Sequence, residues 1–143
     1  MNLNDITVGI SQALYEEFGE DYVTYYNNVE QDLKEPCFLI LPINPARELV
    51  VGNRYEGKNP YDIHYFPKKK NSRSELNAVL DRLYSALEYI TVSDSKFRGT
   101  SMNGKIVDGM LHFFVDYNMF LFKKQPEVTK MGEITVKVEK KGD

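Results

Sequence analysis

Cysteine occurs once in this 143-residue chain, tryptophan is absent, and histidine occurs twice. With Cys37 as the only thiol, an intramolecular disulfide and any cysteine-cluster zinc site are excluded. No stretch reaches the roughly 18 apolar residues of a membrane span, so no membrane partner is expected. Met1 to Asp5 carries no lysine or arginine, and Glu16 and Glu17 interrupt the first apolar stretch. No signal peptide is therefore expected, and the reading is of a protein made in a cytoplasm, or released from one by lysis.

The usual marks of catalysis are missing too. No Gly-x-Ser-x-Gly elbow, Walker loop or Gly-x-Gly-x-x-Gly pattern occurs. His64 and His112 both fall in predicted strands. An acid–base couple would pair one of them with Asp62 or Asp116. Asp62 and His64 are two apart on one strand, however, which makes them neighbours on one face, and packing or surface histidines account for both. Ligand spacing such as His-x-x-x-His is absent, so neither metal nor cofactor is expected. Cys37 lies in an apolar run, where a thiol is inert filler. Arg98 to Gly104 has two glycines and several donors but no following helix N-terminus to hold a phosphate.

A large charge imbalance is also lacking. Eighteen basic and 21 acidic residues give a net charge of −3, with no general attraction to nucleic acid. The distribution is uneven, because residues 1–35 hold eight acids and one lysine. That acidic start is read as a solvated helix face, with head-to-tail packing against the mildly basic remainder as the alternative. Lys68 to Lys70, followed by Arg73, has phosphate-contact chemistry with Tyr61, Tyr65 and Phe66 nearby, but a solvated loop suits an acidic chain better.

What is present is a single-domain length, 42% hydrophobic residues and a clear pattern. Ile6, Ile10, Ala13, Leu14 and Phe18 predict a helix from about Asn4, capped by Asn4 or Asp5 and ended by Gly19 in a left-handed conformation. Asp21–Tyr26 and Cys37–Leu41 read as strands. Glu48–Tyr55 and Tyr61–Phe66 read as a hairpin turning at Gly57 to Pro60. Leu76, Val79, Leu80, Leu83, Leu87 and Ile90 predict a second helix over 74–90, with Ser72 and Glu75 at capping-box spacing. Residues 96–122 read as a long hairpin turning at Asp108-Gly109, with Asn103-Gly104 as a second turn candidate. Leu111, Phe113, Val115, Tyr117, Met119 and Leu121 would share one face of its returning strand. Phe114, Phe120 and Phe122 fall on a mixed second face, to be covered by a helix or by another subunit. Beyond Lys123, the alternation of Ile134, Val136 and Val138 is a strand pattern on a polar tether. The expected fold is α+β, a mostly antiparallel sheet packed on one face by two amphipathic helices, with a long C-terminal hairpin. The domain is read as residues 1–122 and the C-terminal extension as 123–143.

Ten tyrosines and eight phenylalanines exceed what two helices and one sheet easily bury. Exposed aromatics are favoured interface anchors, so the residues point to assembly rather than catalysis.

Several stretches carry a family resemblance. They are Gly-Asn-Arg-Tyr at 52–55, Tyr-Asp-Ile-His-Tyr-Phe-Pro at 61–67, Leu-Tyr-Ser-Ala-Leu-Glu-Tyr-Ile at 83–90 and Arg-Gly-Thr-Ser-Met-Asn at 98–103. The most specific is Val-Asp-Gly-Met-Leu-His-Phe-Phe-Val-Asp-Tyr-Asn at 107–118. Over most of residues 1–122 the chain resembles the tail terminator family of phages, prophages and phage-tail-like bacteriocins of Gram-positive bacteria. The resemblance implies a non-enzymatic virion structural protein, assembled in the bacterial cytoplasm. It implies a ring, usually a hexamer, at the head-proximal end of the tail tube, which stops tube polymerisation. Its partners would be copies of itself, the tube protein, and the sheath or head connector, with nucleic acid only passing through the lumen.

Ring closure requires a heterologous interface, one patch meeting a different patch on the next copy. The candidate interface residues are Asn53, Arg54, Tyr55, Asp62, His64, Phe66, Asp116 and Asn118. Ile134, Val136 and Val138 are added as a strand that could augment a neighbour's sheet. The alternatives are a head–tail connector or stopper ring, and, more distantly, a small nucleic-acid-binding domain using Lys68–Lys70.

Overall fold

A computed structural model describes residues 2–26 and 33–123. The chain forms two compact units, Met1–Pro45 with Lys58–Asn118, and Ala46–Gly57 with the chain from Met119.

The larger unit begins with α1 (Leu3–Phe18). Its cap is Asn2 rather than the expected Asn4 or Asp5. The Asn2 side chain accepts from the Asp5 amide, and the Asp5 carboxylate accepts from the Asn2 amide, closing a capping box. Gly19 ends the helix at positive φ (82°) but with ψ −168°, which is not the left-handed helical cap. Two strands follow, β1 (Val23–Tyr25) and β2 (Cys37–Pro42), running parallel. The smaller unit then takes β3 (Ala46–Val51) and most of β4 (Arg54–Lys58). The chain returns as β5 (Pro60–Phe66) and α2 (Arg73–Ala86). A short hairpin, β6 (Tyr89–Val92) and β7 (Ser95–Arg98), precedes the long strands β8 (Thr100–Val107) and β9 (Met110–Asp116). The last described strand, β10 (Met119–Phe122), belongs to the smaller unit.

The principal sheet has the order β1-β2-β5-β9-β8 and is antiparallel except for β1 with β2. Strand periodicity sends Phe38, Ile40, Tyr61, Ile63, Tyr65, Leu111, Phe113 and Val115 into the core, where each is at most 1% exposed. Ile6, Ile10 and Leu14 of α1 and Leu76, Val79 and Leu83 of α2 meet them. Two contacts depend on missing side chains. A Cβ on Gly9 would lie 2.7 Å from the Thr91 carbonyl oxygen, and one on Gly104 would lie 2.6 Å from Leu80 Cδ1. These glycines let α1 and α2 sit close against β6 and β8. The fold is the expected α+β sandwich, with both helices on one face.

Three expectations are corrected. The Glu48–Tyr55 stretch is not one strand, and it does not pair with Tyr61–Phe66. It bends at Gly52-Asn53, with Gly52 at φ 57°, into the β3–β4 hairpin, while β5 pairs with β2 and β9. The expected turn at Gly57–Pro60 does not form. Asn59 is instead 4% exposed and held by Tyr117 through reciprocal bonds: Asn59 Nδ2 donates to the Tyr117 carbonyl at 2.9 Å, and the Tyr117 amide donates to the Asn59 carbonyl at 3.0 Å.

Second, α2 ends at Ala86 rather than Ile90. Ser93 and Asp94, both at positive φ (49° and 68°), make the tight turn of the β6–β7 hairpin. Ile90 and Val92 are buried from a strand, in alternation with exposed neighbours.

Third, the Asp108-Gly109 hairpin forms, and Asn103-Gly104 lies inside β8 beside a register shift. The returning strand stops early, however: its last paired residue with β5 is Asp116, opposite Pro60, and one further backbone bond, from the Tyr117 amide to the Asn59 carbonyl, ends the contact between the two segments. Tyr117 is fully buried there and its hydroxyl donates to the Leu87 carbonyl at 2.5 Å. Met119 and Leu121 therefore leave the β9 face and pair with Gly57 and Tyr55 in the smaller unit.

The expected capping box of α2 is half formed. Ser72 Oγ accepts from the Glu75 amide at 3.3 Å. The Glu75 carboxylate turns away from the Ser72 amide. It accepts from the Lys68 and Lys69 amides (2.7 and 2.9 Å) and from the Tyr65 hydroxyl (2.6 Å).

Candidate functional site

Strand alternation that buries one face of β5 and β9 places Asp62, His64, Phe66, His112, Phe114 and Asp116 on the other, half-buried face. The β5–β9 register sets His64 directly opposite His112, and Asp62 opposite Phe114. The two imidazole centroids are 4.1 Å apart. Both rings converge on one carboxylate oxygen: His64 Nε2 is 2.9 Å and His112 Nδ1 3.2 Å from Asp62 Oδ2. Asp62 is the residue that gathers the cluster. Burial raises its pKa, but the hydrogen bonds and charges of both histidines outweigh that and hold the carboxyl below the usual range. Asp62 Oδ1 is buried with no partner, an arrangement that costs about 1–3 kcal/mol unless something satisfies it. Among the described residues, these three form the group whose ligand atoms all lie within 4.8 Å of one another.

Asp62 pairing with His64 was legible from their spacing. The role of His112 was not, since it lies 48 positions further along the chain than His64 and only the β5–β9 register joins them. Asp116 lies at the end of β9, where burial pushes its carboxyl up against the opposing charge of Lys58. Asn118 is exposed.

The other sequence-selected residues stand in the smaller unit, whose sheet has the order β10-β4-β3. Asn53 clips β10 to the β3–β4 turn: its Nδ2 donates to the Lys123 carbonyl at 2.8 Å, and its own carbonyl accepts from the Lys123 amide at 2.8 Å. The Arg54 guanidinium lies 4.0 Å from the centre of the Phe120 ring, and Lys123 Nζ lies 5.7 Å from that of Tyr55. These contacts make Asn53, Arg54 and Tyr55 internal supports of the small sheet. Its outward apolar residues are others. All six residues of β3 are exposed, with Leu49 56%, Val50 51% and Val51 63% exposed, and on β10 Phe120 and Phe122 are 52% and 72% exposed. The hydropathy of Leu49 to Val51 carried this signal, but it reads equally as a buried strand. Ile134, Val136 and Val138 lie outside the described residues.

Two other sites offer little chemistry. Cys37 is fully buried and its thiol is pushed up to about 11 by burial and the charge of Glu35, so it carries no thiolate near neutral pH. The backbone amides of Lys68 and Lys69 are committed to Glu75. No helix among the described residues is long and apolar enough to cross a membrane.

A family model described as phage tail terminator protein matches residues 5–129. The chain belongs to the phage tail terminator family. Membership gives it a tail-terminating structural role in a phage or phage-like particle, as the motif resemblance implied. The fold is similar to the sheath/tube terminator, in its extended state, of the extracellular contractile injection system PVC. That likeness has a TM-score of 0.54 at 13% identity over 99% of this chain, which spans 65% of the length of the other. A second solved structure, 12% identical over 89% of this chain and 99% of its own, has a TM-score of 0.45 and is too distant to bear on function. No curated protein matches the chain.

Proposed function

We propose that this tail terminator ends tube polymerisation as a closed ring of identical subunits, a hexamer, at the head-proximal end of the tail. In that position it joins the tube to the sheath or head connector. The observation that carries this reading is β3. Among the described residues it is the outer strand of its sheet, and all six of its residues are exposed. An open ladder of amides and carbonyls templates pairing with other chains unless charge or proline guards it, and at β3 that guard, Pro45, Arg47 and Glu48, is confined to the start of the strand. Here its second half is Leu49-Val50-Val51. A strand laid on that edge by the next copy makes a heterologous contact, the type that closes into rings. The Ile134–Val138 alternation supplies suitable chemistry for the donated strand.

The test compares the full chain with a Leu49→Lys, Val51→Lys double variant and with a chain lacking residues 127–143. Mass is read by light scattering, alone and with polymerising tube protein, and tube lengths are measured by electron microscopy. The wild type is expected to form rings and cap tubes. The double variant is expected to lose both while keeping the wild-type Tm, since both side chains are exposed. Unchanged ring mass and capping in the double variant would refute the β3 interface. Unchanged behaviour in the truncated chain would remove the donated strand alone.

A further inference from the structure

We propose that Asp62, His64 and His112 form a binding site for one divalent transition-metal ion of the zinc class. The proposal stands on the outer face of the principal sheet and is independent of the β3 interface.

Three features carry it. First, the donor set is right. Two imidazoles and one carboxylate suit zinc, cobalt or nickel, and lack the all-oxygen shell that calcium or magnesium requires. Second, the spacing fits. A tetrahedral ion about 2.0–2.1 Å from each ligand sets ligand–ligand edges of roughly 3.3 Å. The two edges from Asp62 Oδ2, 2.9 and 3.2 Å, match this, and the two imidazole nitrogens, within 4.8 Å of each other, draw closer around a bound ion. Third, both ring nitrogens point at the same oxygen, while Asp62 Oδ1 is buried without a partner. A cation that Asp62 binds through both carboxylate oxygens gives Oδ1 the partner it lacks.

The backbone prepares this geometry. The ligands sit on adjacent antiparallel strands in fixed register, so little ordering is needed on binding. Leu39 and Leu41 of β2 stand opposite His64 and Asp62, and Phe114 of β9 stands opposite Asp62 on the other side. These apolar neighbours limit water around the ion, and the three ligand side chains are themselves only 14–18% exposed. Lys105 of β8 stands opposite His112, but it is exposed and its charge is solvated. Three protein ligands leave a fourth position for water, or for a group from another molecule.

The test uses the chelator-treated full chain. CoCl2 is titrated with the visible spectrum as readout, and ZnCl2 is titrated by calorimetry. One ion per chain is expected, with an intense d–d band of a tetrahedral nitrogen–oxygen site. His64→Ala and His112→Ala are each expected to weaken binding by at least about tenfold. Should either variant unfold, the wild-type spectrum decides. A weak spectrum like that of hydrated cobalt, or no saturable zinc heat, overturns the proposal. So does wild-type affinity in a folded double-histidine variant, which would place the metal elsewhere.

Discussion

Glu75 gives a prediction whose size and pH dependence both follow from geometry. Its carboxylate takes three hydrogen bonds, with Oε2 accepting from the Tyr65 hydroxyl and the Lys68 amide and Oε1 accepting from the Lys69 amide. Burial alone would raise its pKa, but the Tyr65 bond, the two amides and the Lys68 charge together hold it below the usual carboxylate range. Burial, together with the same contact, pushes the Tyr65 phenol up. Glu75→Gln keeps the shape and replaces one acceptor oxygen by an amide donor. Whichever way the amide turns, one backbone N–H faces another donor. Hydrogen bonds to a charged group contribute about 1.5–3 kcal/mol, and the partial exposure of Glu75 puts the expected loss near ~1–2 kcal/mol. That corresponds to a Tm lowering of roughly 4 °C per kcal/mol.

Because the folded pKa is depressed, this stabilisation is fully present above the unfolded value of about 4.3. It is lost as the pH falls through the folded pKa. Urea unfolding of wild type and variant from neutral to acid pH should therefore show a gap that is constant down to about pH 5 and closes below it. A gap that persists unchanged into acid would refute the electrostatic account. No gap at neutral pH would refute the three-bond geometry itself.

Other consequences follow from single contacts. Asn59→Ala leaves the buried Tyr117 carbonyl without its donor and should cost about 1–3 kcal/mol in the same unfolding assay. Gly9→Ala drives a Cβ into a backbone oxygen that has no flexible side chain to yield, so a loss of about 1–3 kcal/mol is expected by thermal melting. Cys37 should resist a thiol reagent in the native protein and react stoichiometrically once the chain is unfolded, as followed by absorbance. Rapid native labelling would contradict its burial.

Much of this protein was written in its sequence. Helical spacing located α1 and most of α2, because one apolar stripe per helix has few other ways to be buried. Alternation from Met110 to Asp116 set β9 and its buried face, and Asp108-Gly109 set its turn, since both signals are local. The motif stretches at 61–67 and 107–118 carry the family resemblance by residue order alone.

What failed needed partners distant in the chain. Gly52-Asn53 and Gly57 to Pro60 are both turn-forming by composition. Only the reciprocal bonds between Asn59 and Tyr117 decide that the second runs straight on. Ile90 satisfies a helical stripe and a strand alternation equally well, and the Ser93-Asp94 turn settles it as strand. Phe120 and Phe122 continue the β9 alternation in sequence, yet β9 ends at Asp116 and they pair with Glu56 and Arg54 in another sheet. Asp62 and His64 were visible as neighbours, but His112 joins them only through cross-strand register. The sequence by itself determined the local periods, and with them the elements and their apolar faces. The tertiary structure alone decided which strands pair, and so which side chains from distant segments meet, because pairing is a contest among edges that no local window contains.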